Sequence, residues 1–351
     1  MLTVNFNMAE TLAVAIVVLL LGREVKKRVN FLEKFFIPAP VVGGVIFSIL
    51  LLIGNNTGAF TFNFDGVLKD FLMLIFFTTI GFTASGKLLK KGGVGVVIFL
   101  ITATVLVIIQ DVVGVSMAKV FGLNPLLGLA VGSIPLTGGH GTSGAFGPVL
   151  EQLGVTGGLS VSIAAATYGL IAGCLIGGPI AKRLKEKYNL KPNLEETGMS
   201  IEELEDATVN PVSESTLFDA VVVISLAMGI GYWIAPFLKT YGVVIPAYIG
   251  PMFIAAIIRN IADMSKKELP MKEISITGNI ALSLFLAMAL MTLKLWELAA
   301  LAVPIVTILL IQTVIMAAYA YFITFNFNGK DYDAAVIATG HCGFGLGATP
   351  N

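Results

Sequence analysis

Apolar residues in this chain come in long runs, and polar residues are largely confined to the stretches between them. Runs of roughly 20 residues recur, and each is long enough to cross a hydrocarbon layer of about 30 Å as a helix. They fall near 8–22, 37–53, 67–84, 93–120, 159–181, 217–238, 243–261, 276–293 and 298–325. The pattern predicts an all-α polytopic membrane protein of nine spans. The first ten residues carry no basic side chain, and the basic cluster Arg23, Lys26, Lys27, Arg28 follows the first run. A cleaved secretory leader has the opposite order, so the first run is expected to be a retained helix.

Two glycine clusters break the pattern. One is Thr137-Gly138-Gly139-His140-Gly141-Thr142-Ser143, and the other is Gly340-His341-Cys342-Gly343-Phe344-Gly345-Leu346-Gly347. They hold the chain's only two histidines, 201 residues apart. Inside a bilayer an unpaired backbone group is costly, so a broken helix is tolerated only where protein, water or a ligand satisfies it. Glycine permits the turn and lets a ligand approach the backbone. A helix starting after such a break aims N–H groups and about half a positive charge at the ligand, which suits a carboxylate. Freed carbonyls suit Na+. The expectation is a pair of re-entrant, broken-helix loops meeting at a substrate site.

The halves echo each other. Ile37-Pro38-Ala39 returns as Ile245-Pro246-Ala247, Leu72-Met73-Leu74 as Leu282-Ser283-Leu284, and Gln110 as Gln312. Gln110 precedes His140 by 30 residues, and Gln312 precedes His341 by 29. The expected organisation is a first repeat over 1–187, a polar linker over 188–215 rich in Glu and Asp, and a second repeat over 216–351.

Composition and charge narrow the class. The chain has 351 residues, is 56% hydrophobic and 13% charged, and carries no net charge, so nothing points to nucleic acid. Counting spans with the first basic loop in the cytoplasm puts 18 of the 22 Lys and Arg residues inside, leaving Lys69, Lys119, Lys239 and Lys294 outside. That satisfies the positive-inside rule. It places the N-terminus outside and the linker in the cytoplasm. An odd number of spans per half inverts the second repeat, an architecture that secondary transporters use for alternating access. No G-x-x-x-x-G-K-[ST] run occurs, which disfavours a nucleotide-driven pump.

Other polar residues have two readings each. Gln110 and Gln312 lie inside apolar runs, where a polar side chain either holds helices together or binds a ligand. Asp111 suggests an ion or proton role, or a solvated position near a span end. Asn279 and Ser283 share a helix face, as do Thr79 and Thr83, and line a cavity or serve packing. Asn124-Pro125 predicts a helix start. Gly169, Gly173 and Gly177 predict a close helix-packing face. His140, His341 and Cys342 could instead ligate a metal in an intramembrane enzyme, although no fourth ligand stands out. Lys294 and Glu297 beside Trp296 suggest an interface anchor.

The run Gly138 to Thr142, the run Gly340 to Pro350, residues 279–298 and Ile37-Pro38-Ala39-Pro40-Val41-Val42-Gly43-Gly44 resemble the sodium/glutamate symporter family. The resemblance covers nearly all of the chain except the linker. It implies a transporter rather than an enzyme, with sodium-coupled uptake of L-glutamate across a bacterial inner membrane. Na+ would be the coupling ion and there would be no other cofactor. It further implies a homodimer of two inverted five-helix halves, with a mobile transport domain sliding against a fixed scaffold. Binding roles would fall on the two glycine motifs. A symporter of another carboxylate, such as a dicarboxylate or citrate, driven by sodium or protons, is the alternative within transport. Both the repeat and the resemblance imply one more helix after the second motif. The sequence is therefore expected to be a fragment or a truncated form that transports poorly.

Overall fold

The computed structural model describes residues 2–34, 37–91, 93–191, 212–242, 245–293 and 301–347. Most of the expected linker, the Lys294, Trp296 and Glu297 anchor, and Thr349 lie outside the described residues.

The elements follow in chain order. They are β1 (Leu2–Phe6), α1 (Met8–Arg28), α2 (Asn30–Lys34), α3 (Ala39–Thr57), β2 (Phe60–Phe64), α4 (Val67–Thr83), α5 (Gly86–Lys91) and α6 (Gly93–Val120). Next come α7 (Leu127–Ala130), α8 (Ser133–Leu136), α9 (Gly139–Gln152) and α10 (Gly158–Tyr188). After the linker are α11 (Glu214–Tyr232), α12 (Ile234–Thr240), α13 (Ile249–Met264), α14 (Met271–Leu290) and α15 (Ala302–Tyr319). A π-helical turn (Ala320–Thr324) leads into α16 (Phe325–Phe327), and α17 (Tyr332–Phe344) follows.

Among the described residues, six helical stretches are long and apolar enough to cross a membrane: Ala39–Thr57, Gly93–Val120, Gly158–Tyr188, Glu214–Thr240, Met271–Leu290 and Ala302–Phe327. The protein is a polytopic helical membrane protein. Other expected spans also fold as helices. α4 and α13 are shorter, and α1 carries Glu10, Arg23 and Glu24 along its length. The basic residues expected in a loop after the first run instead form the last turn of α1, where they complement the helix dipole. Its start is fixed by a capping box: Asn7 accepts from the Glu10 N–H at 3.0 Å, and Glu10 accepts from the Asn7 N–H at 2.9 Å.

One short ribbon departs from the all-helical expectation. β1 and β2 pair in parallel, with Leu2 opposite Phe60 and Phe6 opposite Phe64. The segment 55–65 lies between two apolar runs and carries no Lys or Arg. Its Phe60-Thr61-Phe62-Asn63-Phe64 run is a strand former, with aromatic and β-branched residues alternating with polar ones. Phe6 stacks on Phe64 at 5.1 Å.

The helices are apolar outside and small or polar inside. On α6 the buried residues Thr102, Leu106, Gln110, Gly114 and Ala118 recur every four residues, while Val97, Leu100, Ile101, Val105, Ile108 and Val112 are exposed. A lipid-facing helix gains nothing by hiding apolar side chains from lipid. Its inner face is selected for close approach and hydrogen bonding instead.

The chain forms two compact units, and each draws on both sides of the linker. The first comprises Met1–Lys69, Val94–Leu190 and Ser283–Asn351. Its main core gathers Leu106, Leu136, Val161, Ile308, Met316 and Leu346. The second comprises Asp70–Gly93 and Lys191–Leu282. Its core is built on Phe82, Ile224, Ala227, Ala255 and Ile274. Within the second unit Thr216 donates to the Glu273 carboxylate at 2.7 Å, and the Gly86 N–H donates to the Asn260 side chain at 2.8 Å.

Candidate functional site

Both glycine clusters belong to the first unit. The approach to the first differs from the sequence reading. Asn124 does not open a long helix. Its side chain accepts from the Leu126 N–H at 3.0 Å in a turn, and the apolar run then folds as the two single-turn helices α7 and α8. The start of α8 is held from outside. Asp111 on α6 accepts from the Ser133 N–H at 2.9 Å and from its hydroxyl at 3.0 Å. This contact gives Asp111 a bracing role that neither sequence reading named. The half-buried carboxylate braces the descending strand of the break.

The chain turns at Thr137-Gly138, and α9 begins at Gly139, whose φ of +67° places it in the left-handed region that favours glycine. A helix start leaves its first N–H groups without intrahelical acceptors. Here they belong to the glycine-rich first turn. Two side chains in that turn tie it to α10. The His140 Nε2 lies 3.0 Å from the Thr167 hydroxyl. That hydroxyl also donates to the Ile163 carbonyl at 2.9 Å, which leaves it to accept from an Nε2–H imidazole. Ser143 donates to the Gly139 carbonyl at 2.8 Å and to the Ser162 carbonyl at 3.2 Å. Thr142 is half-buried one position earlier.

The second cluster sits at the other end of a helix. Asp331 caps α17 by accepting from the Ala334 N–H at 2.7 Å, so the helix starts early and Gly340 to Phe344 fall in its last turns. On its N-terminal side this cluster presents a carbonyl end, and the helix expected after it lies outside the described residues. The Gly345 N–H donates to the His341 carbonyl at 2.7 Å, and the Leu346 N–H to the Gly343 carbonyl at 3.2 Å. Gly347 then turns the chain at φ +96°. His341 is fully buried, its Nδ1 is 2.8 Å from the Thr324 hydroxyl in the π-helical turn, and Phe99 lies edge-on at 4.9 Å. Its Nε2 is buried without a hydrogen-bond partner. Cys342 bonds back to the Ala338 carbonyl at 3.3 Å and packs into the apolar core.

Gln110 joins the two clusters. Its Oε1 accepts from the Thr137 hydroxyl at 2.7 Å, and its Nε2 donates to the Gly345 carbonyl at 2.7 Å. Its own carbonyl accepts from the Gln312 Nε2 at 2.7 Å. The two glutamines that answer each other in sequence therefore touch in space. A carbonyl acceptor fixes each amide orientation, so the Gln312 Oε1 is a buried acceptor with no partner. The glycine stripe of α10 is a close packing face, as expected, and it packs on the second cluster. A Cβ on Gly169 would lie 2.4 Å from the Leu346 carbonyl, on Gly173 3.0 Å from the Cys342 carbonyl, and on Gly177 3.5 Å from Thr339.

The structure thus brings together Gln110, Thr137 and Gln312 with the glycines of both motifs. Of the pair on α14, Ser283 belongs to the first unit and is half-buried, while Asn279 belongs to the second and is exposed. Among the described residues, no three His, Cys, Asp or Glu side chains converge as metal ligands, so His140, His341 and Cys342 make no metal centre. Sequence reasoning missed Thr167 and Thr324, the hydroxyl partners of the two histidines. A lone Thr in an apolar helix has no distinguishing spacing, since it usually bonds back within its own helix.

Chemically, a helix start and a helix end converge on one polar bridge. The first offers N–H donors, and the second offers carbonyls together with an unpartnered amide oxygen. That pairing can accept an anion and a hard cation side by side.

Comparison with known proteins gives one consistent result. A family model described as the sodium/glutamate symporter matches residues 4–351. The sodium/glutamate symporter of Escherichia coli (strain K12) is 43% identical over 348 residues, covering 97% of this chain and 86% of that protein. That of Shigella flexneri shows the same identity and coverage. That of Haemophilus influenzae is 41% identical over 355 residues, covering 99% of this chain and 87% of that protein.

Proposed function

The chain belongs to the sodium/glutamate symporter family, and on that premise we propose that it carries L-glutamate into the cell together with Na+. The observation that carries the proposal is Gln110, which ties a hydroxyl of the first glycine cluster to a carbonyl of the second. A glutamate carboxylate is received by the start of α9, with Thr137, Gly138, Gly139, His140, Gly141, Thr142 and Ser143. Na+ is received at the end of α17, among the carbonyls of Gly340 to Gly345 and the Gln312 amide oxygen. Ser283 and Asn279 on α14 are further candidate contacts for the acid. Substrate contact is made mainly by helix ends, hydroxyls and amides. All four arginines, Arg23, Arg28, Arg183 and Arg259, lie towards the C-terminal ends of their helices.

Transport proceeds by alternating access between two inverted repeats, supported by the paired Ile-Pro-Ala runs, glutamines and Gly-His motifs. In this reading a mobile transport domain slides against a fixed scaffold and the protein works as a homodimer. The bacterial relatives support a bacterial inner membrane, and the charge distribution supports an N-terminus outside and a linker in the cytoplasm. The test is counterflow of labelled glutamate in proteoliposomes, with and without sodium, against a panel of competitors. Sodium-dependent exchange inhibited by glutamate and not by citrate is expected. Exchange indifferent to sodium, or citrate as the preferred competitor, would contradict the proposal.

A further inference from the structure

The last turns of α10 and one face of α17 line an open cavity of about 400 Å³. Lys182 and Lys185 line it from α10, and Tyr332, Val336, Thr339 and Gly340 line it from α17. Tyr332 to Gly340 spans about 12 Å of helix at roughly 1.5 Å per residue. The cavity therefore runs from the start of α17 to the first glycine of the second cluster. Gly340 is exposed, and a Cβ there would meet nothing within 4 Å, so open space lies against the backbone just before His341. Among the described lining side chains both charges are positive. Lys182 has Glu186 at 3.8 Å on the exposed side of α10 and is itself 76% exposed. Lys185 lies in the last turn of α10 and Lys182 about one turn earlier, and lysines towards a helix C-terminus complement its dipole wherever they point. Two of them facing one cavity that ends at a glycine motif concentrate positive field there.

We propose that this cavity is an anion vestibule, in which Lys182 and Lys185 hold a carboxylate of the transported acid on its way to or from the Gln110 bridge, where the start of α9 receives it. The proposal rests on the symport reading above and adds the path by which an acid reaches the bridge from the side where α10 ends. The lysines act through the field and by direct ion pairing, and Thr339 adds a hydroxyl at the inner end. A phospholipid phosphate presents similar chemistry at a membrane face, so the test separates the two.

The experiment labels the exposed Val336, changed to Cys in a Cys174→Ser background, with an anionic and a neutral thiol reagent of similar size. It is run on the full chain in vesicles of neutral or anionic phospholipid. The expected result is faster labelling by the anionic reagent, slowed by L-glutamate. In Lys182→Gln/Lys185→Gln the anionic preference falls by about tenfold, within the range of electrostatic focusing in a charged cleft. Lys182→Arg/Lys185→Arg retains it, and shows whether charge or lysine itself matters if the glutamine pair folds poorly. An anionic preference that survives both lysine-to-glutamine changes would overturn the proposal. So would labelling slowed by anionic phospholipid and not by glutamate. Sodium-driven uptake is measured in parallel. Uptake with no glutamate protection defeats the vestibule alone, and protection without uptake defeats the symport reading alone.

Discussion

The two glycine clusters are alike in composition and opposite in construction. The first opens α9, so its glycines surround N–H groups and the positive end of a helix dipole. The second closes α17, so its glycines surround carbonyls and the negative end. Each histidine is anchored by one threonine, but His140 is tied to α10 and His341 to the π-helical turn after α15. The supports differ as well. The first cluster is held by side chains, through Asp111, Thr137 and Ser143. The second is held by close backbone contact with the glycine stripe of α10, together with the Gln110 amide. Two motifs that read as copies in sequence can thus supply complementary halves of one site, because a helix has unlike ends.

The sharpest way to break this contrast is to crowd the second cluster and leave the first alone. Gly169→Ala drives a methyl to 2.4 Å from the Leu346 carbonyl, whereas Gly177→Ala meets Thr339 at an ordinary 3.5 Å. Overpacking typically costs about 1 to 3 kcal/mol. Thermal melting in detergent should show the Gly169 change near the top of that range and the Gly177 change near zero, with Gly173 between them. Equal losses at all three positions would mean that the stripe does not grade as the contacts do.

A somewhat smaller effect is expected from removing the bridge. Gln110→Leu deletes two interhelical hydrogen bonds, each worth about 0.6 to 1.7 kcal/mol in a bilayer. Gln312→Leu deletes one, for about 1 kcal/mol. Melting should therefore fall further for Gln110→Leu, and sodium-dependent uptake should fall in the same order. The reverse order would remove Gln110 from the centre of the account.

A small effect of the opposite sign belongs to Gly340→Ala. That position faces open space and sits within a helix. Replacing Gly by Ala there should change stability by less than about 1 kcal/mol, in the stabilising direction. A folded Gly340→Ala protein that no longer transports would show that a ligand, not the packing, needs the bare backbone.

The architecture was legible where one physical rule dominates. Apolar length set the spans, and the run 93–120 was found as Gly93–Val120. The spacing of Gly169, Gly173 and Gly177 announced a packing face because only small residues let two backbones approach so closely. The matched spacing of Gln110 and Gln312 to their histidines marked two residues that prove to be in contact. What escaped was local competition between rules. The helix leading to His341 starts eight residues before Gly340 because Asp331 caps it, and that placed the cluster at a helix end. The Phe60 to Phe64 strand was hidden because its partner, Leu2 to Phe6, lies far away in the chain. The roles of Thr167, Thr324 and Asp111 depend on which neighbour each helix face meets, and no residue pattern within one helix carries that information.

The central claim is that the two ends serve different ions across one bridge, and the most direct measurement compares two half-saturation constants in two variants. Thr137→Val alters the first cluster, and Gln312→Leu alters the carbonyl end beside the second. Each constant is measured in proteoliposomes with the other ligand saturating. The account predicts that Thr137→Val raises the half-saturation for glutamate and leaves that for sodium near its original value. It predicts the converse for Gln312→Leu. If both variants shift both constants alike, or if the pattern is reversed, the division of labour between the helix start and the helix end is wrong.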